Sequence, residues 1–239
     1  MWSSIYKRDL MNFFYGSSAY IVFAVYVLIS MILAFFWGTY FFSANQSMYS
    51  YFSYQPQIFA ILIPVITMRS WAEEYKNGTI ENLLTFPISG LKLITAKFCA
   101  ACTISFVMLA FSLPLLITTS FYLDMDWGNI ISAYIGTVIS IMFLTSVGCF
   151  VSSITALPIV AYLLGLFFGL LIIGFNWGSI IISGMDNIPF YLNGVLDFSS
   201  NYQEFLTGQI NIASIFYFVS ATILFLFFNW LVICDRRIG

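Results

Sequence analysis

Six stretches of this chain decide what it can fold into. They are Ala19–Phe42, Met48–Met68, Leu93–Tyr122, Ile130–Val151, Leu157–Ile182 and Ile212–Cys234, all strongly apolar. Crossing the roughly 30 Å of hydrocarbon in a bilayer takes about 20 residues of helix. A segment in lipid must satisfy its own backbone polar groups, which a helix does and an open strand does not. The runs therefore predict an all-α polytopic membrane protein with six transmembrane helices. Composition agrees, with 61% hydrophobic and only 8% charged residues against about 25% charged in a soluble domain. A net charge of −2 without a basic patch excludes nucleic-acid binding.

The second run is the least apolar. Its uninterrupted part, Ile58–Met68, is too short to span, so the helix must include Tyr51, Tyr54, Gln55 and Gln57. Such groups are costly against lipid and should face a bundle, a subunit interface or water. Tyr54, Gln55 and Gln57 are accordingly candidates for lining a pathway.

Charge sets the orientation. Lys7 and Arg8 precede the first run, and Arg69, Lys76, Lys92 and Lys97 lie around the second connection. Arg236 and Arg237 follow the last run. The remaining loops carry Asp124, Asp126, Asp186, Asp197 and Glu204 and no cation. With an even number of spans, every basic residue falls on one side, which the positive-inside rule makes cytoplasmic. Both termini are then cytoplasmic, and Lys97, about one turn inside its span, is expected to snorkel outward.

Residues 1–17 do not read as a signal peptide, because the apolar run that follows is too long for one. Trp2, Ile5, Tyr6, Leu10, Phe13 and Phe14 fall near one helical face, with Asp9 inside the same arc. An interfacial helix on the cytoplasmic leaflet is predicted. Cys99 and Cys102 form a CxxC inside a span, and the chain has no histidine. They read as packing residues, so neither a metal nor a cofactor is expected. Ala161, Gly165 and Gly169 recur every four residues, a stripe suited to close helix contact within one subunit or between two.

The connection between the second and third runs stands apart. "MRSWAEEYKNGTIENLLTFPIS" holds Arg69, Glu73, Glu74, Lys76 and Glu81 in a chain that otherwise avoids charge. Ser70-x-x-Glu73 matches a capping box that would start a short helix, and Asn77-Gly78 would end it. Thr79 would cap a second segment, Ile80–Phe86, closed by Pro87. Trp71 and Tyr75 share one face, and Leu83 and Leu84 add apolar surface. This much apolar surface on a loop outside the bilayer points to a contact with another protein. Simple anchoring on anionic lipid would favour Lys and Arg over the three acids present.

The same stretch resembles the signature of permease subunits of ABC-2 type transporters. The matching elements are Glu73-Glu74, Lys76, Gly78-Thr79-x-Glu81, Leu83-Leu84-Thr85-x-Pro87 and a Lys at 92 or 97. "YKRDLMNFFYGSSAYIVFAVYVLI", "VSSITALPIVAYLLGL" and "FSSNYQEFLTGQIN" are similar to the subgroup that includes gliding-motility permeases. Where that subgroup often carries a polar run after Leu-Thr, this chain has Ala156-Leu157-Pro158.

The resemblance implies one transmembrane domain over residues 1–239. An elbow helix would occupy 1–17, a cytoplasmic coupling loop 69–92 and an external segment 183–211. In that loop Trp71, Glu73, Glu74, Tyr75, Gly78, Thr79, Glu81 and Pro87 would meet a separate ATPase subunit. The permease would be a homodimer or a heterodimer with a related chain, in a prokaryotic inner membrane, and would work by export. The residues themselves offer no phosphate loop of the form GxxxxGK[ST] and no nucleophile paired with a base, so no catalytic role is expected. The alternative is a secondary transporter or channel, which usually requires intramembrane charge.

Overall fold

The computed structural model describes residues 2–34, 48–78, 89–121, 126–182 and 197–238, and every regular element among them is helical. α1 is Trp2–Tyr15 and α2 is Ser17–Ile32, with a bend of 71° between Trp2–Tyr15 and Ala19–Ile32. The second apolar run is expected as one helix but forms two, α3 (Tyr49–Ser53) and α4 (Gln55–Thr67). The break falls at Tyr54, just before Pro56, whose ring removes a backbone donor. A short α5 (Ala72–Lys76) follows. The third run likewise divides, into α6 (Gly90–Ala110) and α7 (Leu113–Ser120), with Pro114 opening the second piece.

α8 is Trp127–Ile154, and the Asp126 carboxylate caps it by accepting from the Gly128 N–H at 3.0 Å. α9 is Pro158–Ile182, α10 is Phe198–Leu206 and α11 is Ile212–Ile238. Asp197 caps α10 in the same way, accepting from the Ser199 N–H at 3.2 Å. Three described helical stretches are long and apolar enough to cross a membrane: Gly90–Ser120, Trp127–Ile154 and Ile212–Asp235. The bent pair α1–α2 makes a fourth if it is one span. The second and fifth runs yield shorter apolar pieces, α4 and Pro158–Gly174. The end of the first run, 35–42, lies outside the described residues, as does 183–196 of the expected external segment.

α8 is the central strut. It packs against α4, α6, α9, α10 and α11, and 67% of its membrane window is buried, against 17% for α11. Glycine makes the closest approaches possible. A Cβ on Gly148 would collide with the Thr67 side chain, and one on Gly136 would lie 2.7 Å from the Phe205 ring. The small-residue stripe is used inside the chain: Gly165 faces Pro64 and Gly169 faces Ala60. At the far end of α8, the Tyr202 hydroxyl donates to the Phe52 carbonyl at 2.9 Å and lies 2.9 Å from Thr137 Oγ1. These bonds tie α10 to both α3 and α8.

Candidate functional site

α5 is five residues long, too short to hold itself as a helix. Its stability has to come from what grips it. The capping box expected from Ser70 and Glu73 does not form: the Ser70 hydroxyl donates instead to the Thr67 carbonyl at 2.9 Å. The cap comes from another element. Ser152, fully buried near the end of α8, accepts from the N–H groups of Trp71 and Ala72 at 3.2 Å each. Its own hydroxyl proton goes to the Met68 carbonyl at 3.4 Å. One side chain of α8 thus satisfies two donors that a helix start leaves without internal partners.

The other end behaves as the sequence predicts. The Asn77 N–H reaches the Glu73 carbonyl at 3.0 Å, and Gly78 then turns the chain with φ +66°. That left-handed conformation suits glycine because it has no Cβ to clash.

Four charges fasten the face of α5. Lys97 on α6 is expected to snorkel, yet its side chain is only 2% exposed. Its ammonium donates to the Ser70 carbonyl at 2.6 Å, to Glu74 Oε1 at 2.9 Å and to Asp9 Oδ2 at 3.3 Å. Burying an ammonium is costly unless partners replace its water, and here three acceptors match its three donors. The Trp71 ring adds a fourth contact, 4.9 Å from the ammonium. Arg8 closes the group from the solvent side, at 2.7 Å from Glu74 and 2.9 Å from Asp9. Burial alone would lower the Arg8 pKa, but the Asp9 and Glu74 carboxylates outweigh it and hold it above its ordinary value. The two cations and two carboxylates sum to zero and join α1, α5 and α6.

Trp71 corrects the sequence expectation more sharply. It is expected on an exposed docking face but is fully buried, packed with Leu93, Ile94 and Ile233. Tyr75 lies half-buried against the same cluster. Glu73 and Gly78 are exposed, and Glu74 belongs to the charge group. Thr79, Glu81, Leu83, Leu84 and Pro87 lie outside the described residues. Gln55 is buried and accepts from the Tyr26 hydroxyl at 3.3 Å, Tyr54 is half-buried and Gln57 is exposed.

A cavity of about 600 Å³ opens beside this group, between α1, the end of α4, α5 and α6. Its polar wall is Arg8, Asp9, Asn12, Arg69, Ser70, Glu73, Glu74, Asn77 and Lys97, and its apolar wall is Phe13, Ile66, Ala100, Ala101 and Ile104. Cys99, Cys102, Cys149 and Cys234 are free thiols, and no described group of His, Cys, Asp and Glu is arranged to hold a metal ion. Reading the sequence misses Arg8, Asp9, Lys97 and Ser152 as members of the site. Two signals were available: an acid inside the apolar arc of α1 and a lysine inside a span.

Apolar helices long enough to cross a bilayer, packed round α8 with one charged connection held against them, define a multi-pass membrane protein. The family model described as ABC-2 family transporter protein matches residues 8–176. The chain belongs to that family, whose members are the membrane permeases of ABC transporters and not their catalytic parts. The match begins at Arg8 and so includes the charge group, α5 and Ser152. No curated protein matches the chain.

Proposed function

We propose that residues 69–92 form the cytoplasmic coupling loop of this permease and that a separate ATPase subunit drives it through α5. The single observation that carries the reading is the way α5 is fastened. Ser152 ties its start to α8, and Glu74 ties its face to Lys97 of α6 and Arg8 of α1. A push on α5 would therefore reach three helices at once, including the central one. A loop that only decorated the surface would need no such anchorage.

In this reading the chain has six spans with both termini in the cytoplasm. α1 is the elbow helix, lying on the inner leaflet, and residues 183–211 are external. Two such chains, identical or related, form the translocation unit in a prokaryotic inner membrane and export their cargo. Lys76 and Gly78, exposed and outside the lining of the cavity, present α5 to the ATPase. Trp71 works from within, as the floor on which α5 rests.

Co-purification tests this directly. Released from its native membrane in mild detergent, the permease should bring with it an ATPase of separate sequence. Gly78→Val, whose side chain meets no neighbour but strains the backbone at φ +66°, should insert normally and reduce ATP-driven transport. Transport by the purified chain with no ATPase present would overturn the reading in favour of a secondary transporter.

A further inference from the structure

The cavity beside α5 has an order to its charges. Arg8, Lys97, Asp9 and Glu74 are paired with one another. That leaves Arg69 and Glu73 on the same polar wall, and among the described residues neither makes an ion pair. One cation and one anion outside the charge group line a single space. An anionic ligand would meet Glu73 and a cationic one would meet Arg69, so a group carrying both charges fits best.

The other wall says what is attached to that group. Along α6 the lining runs from Lys97 through Ala100 and Ala101 to Ile104, a descent of about 10 Å at the α-helical rise. Phe13 and Ile66 complete the apolar side. A volume of about 600 Å³ is in the range of ligand pockets. Charged at one end and apolar about 10 Å deeper, the cavity matches the change from headgroup to acyl layer at a membrane surface.

We infer that this cavity binds a zwitterionic phospholipid of the phosphatidylethanolamine class. Arg69 receives the phosphate through its planar fork, Glu73 receives the ammonium, and the acyl chains follow Phe13, Ile66 and Ile104 inward. Asn12 and Asn77, which also line the polar wall, supply further hydrogen bonds. The inference rests on the cytoplasmic placement of residues 69–92, but it does not need the ATPase.

The test uses the full chain, purified without ATPase, and native mass spectrometry with equimolar phosphatidylethanolamine and phosphatidylglycerol of identical chains. The wild type should retain the zwitterionic lipid at least about fivefold over the anionic one, the scale of one charge-assisted contact. Arg69→Gln should weaken retention of both lipids, since both carry the phosphodiester, without turning the preference toward the anionic one, and Arg69→Lys should keep most of the retention. Glu73→Gln should turn the preference toward phosphatidylglycerol, because the polar wall then carries a net positive charge. Each variant is compared at matched thermal stability. Equal retention of both lipids by the wild type, an unchanged preference in Glu73→Gln, or undiminished retention in Arg69→Gln would overturn the inference. Displacement of the lipid by free phosphoethanolamine at equal concentration would show that the apolar wall contributes nothing, and would overturn the lipid as the source. If the Gln variants instead release the ATPase from the complex purified with it, while lipid retention and preference stay as in the wild type, the cavity belongs to the protein partner and the inference fails. A reporter inserted after Asn77 checks the placement separately.

Discussion

Lys97 shows how a single charge can organise a site that its local sequence does not announce. Its position inside an apolar run is legible, and snorkelling is the ordinary outcome for such a residue. What decides otherwise is the presence of Asp9 and Glu74, 88 and 23 residues away in the chain, which no periodicity can bring together. Asp9 gave the other local hint, as an acid where the face of α1 should be apolar. The carboxylates are 19% and 13% exposed, so solvent screens them only in part. Lys97→Met would leave both carboxylates with Arg8 alone, one cation short. Removing one partner from a buried charge group costs on the order of 3 kcal/mol, and thermal unfolding in detergent should fall by several degrees. Asp9→Asn added to Lys97→Met should recover much of the loss, since the double variant leaves Arg8 and Glu74 paired with no net charge. Lys97→Arg should fall between, because a planar fork cannot point at three separate acceptors as an ammonium does. A Lys97→Met protein that melts with the wild type would mean the group is wet and weak.

Between elements, glycine decides how closely helices meet, and the two kinds of contact differ in how legible they are. The stripe Ala161, Gly165 and Gly169 repeats every four residues and can be read directly; its use against Pro64 and Ala60 of α4 needed the structure. Gly148 belongs to no repeat, so its close approach to Thr67 left no pattern to find. Ser152 is similar, one serine among several in α8 until α5 is seen to start on its hydroxyl. The geometry makes the consequences opposite in sign. A Cβ on Gly169 would sit 3.4 Å from Ala60 Cβ, an ordinary contact, and alanine is the better helix former by about 1 kcal/mol. Gly169→Ala should therefore be neutral or stabilising. Gly148→Ala should destabilise by about 1–3 kcal/mol, the usual cost of overpacking, because its Cβ meets the Thr67 side chain on a facing helix. Thr67→Ala in that background should return part of the loss. Melting curves of the three variants check the ordering, and equal effects at Gly148 and Gly169 would contradict the packing described here.

At the scale of the whole chain, class and helicity were legible because lipid permits so few solutions, whereas span boundaries were not. Pro56 and Pro114 each interrupt a run that hydropathy alone reads as continuous, and the loss of a backbone donor is local chemistry that an averaged window hides. Orientation remains to be tested, and the structure sharpens that test. α8 rises about 39 Å between Asp126 and Ser152 at 1.5 Å per residue. At its second end gather Arg8, Arg69 and Lys97, around the α5 that Ser152 caps. At its first end lie Asp126 and, through the approach of Gly208 to Asn129, the end of α10. Arg8, Arg69 and Lys97 thus share one pole with Asp9, Glu73 and Glu74, whereas Asp126 at the other pole makes no ion pair among the described residues. Basic residues are retained on the cytoplasmic side during insertion, so the pole with α5 should face inward. A reporter active only in the cytoplasm should work when inserted after Asn77 or fused after Gly239, and should be silent after Asp126 or Asp197. A silent Asn77 insertion alongside an active Asp126 insertion would invert the molecule and place α5 beyond the reach of any ATPase. Substituting Lys7, Arg8 and Lys92 by Gln should weaken the bias and give a mixed signal at Asn77, because those three sit nearest the ends of the first and third apolar runs.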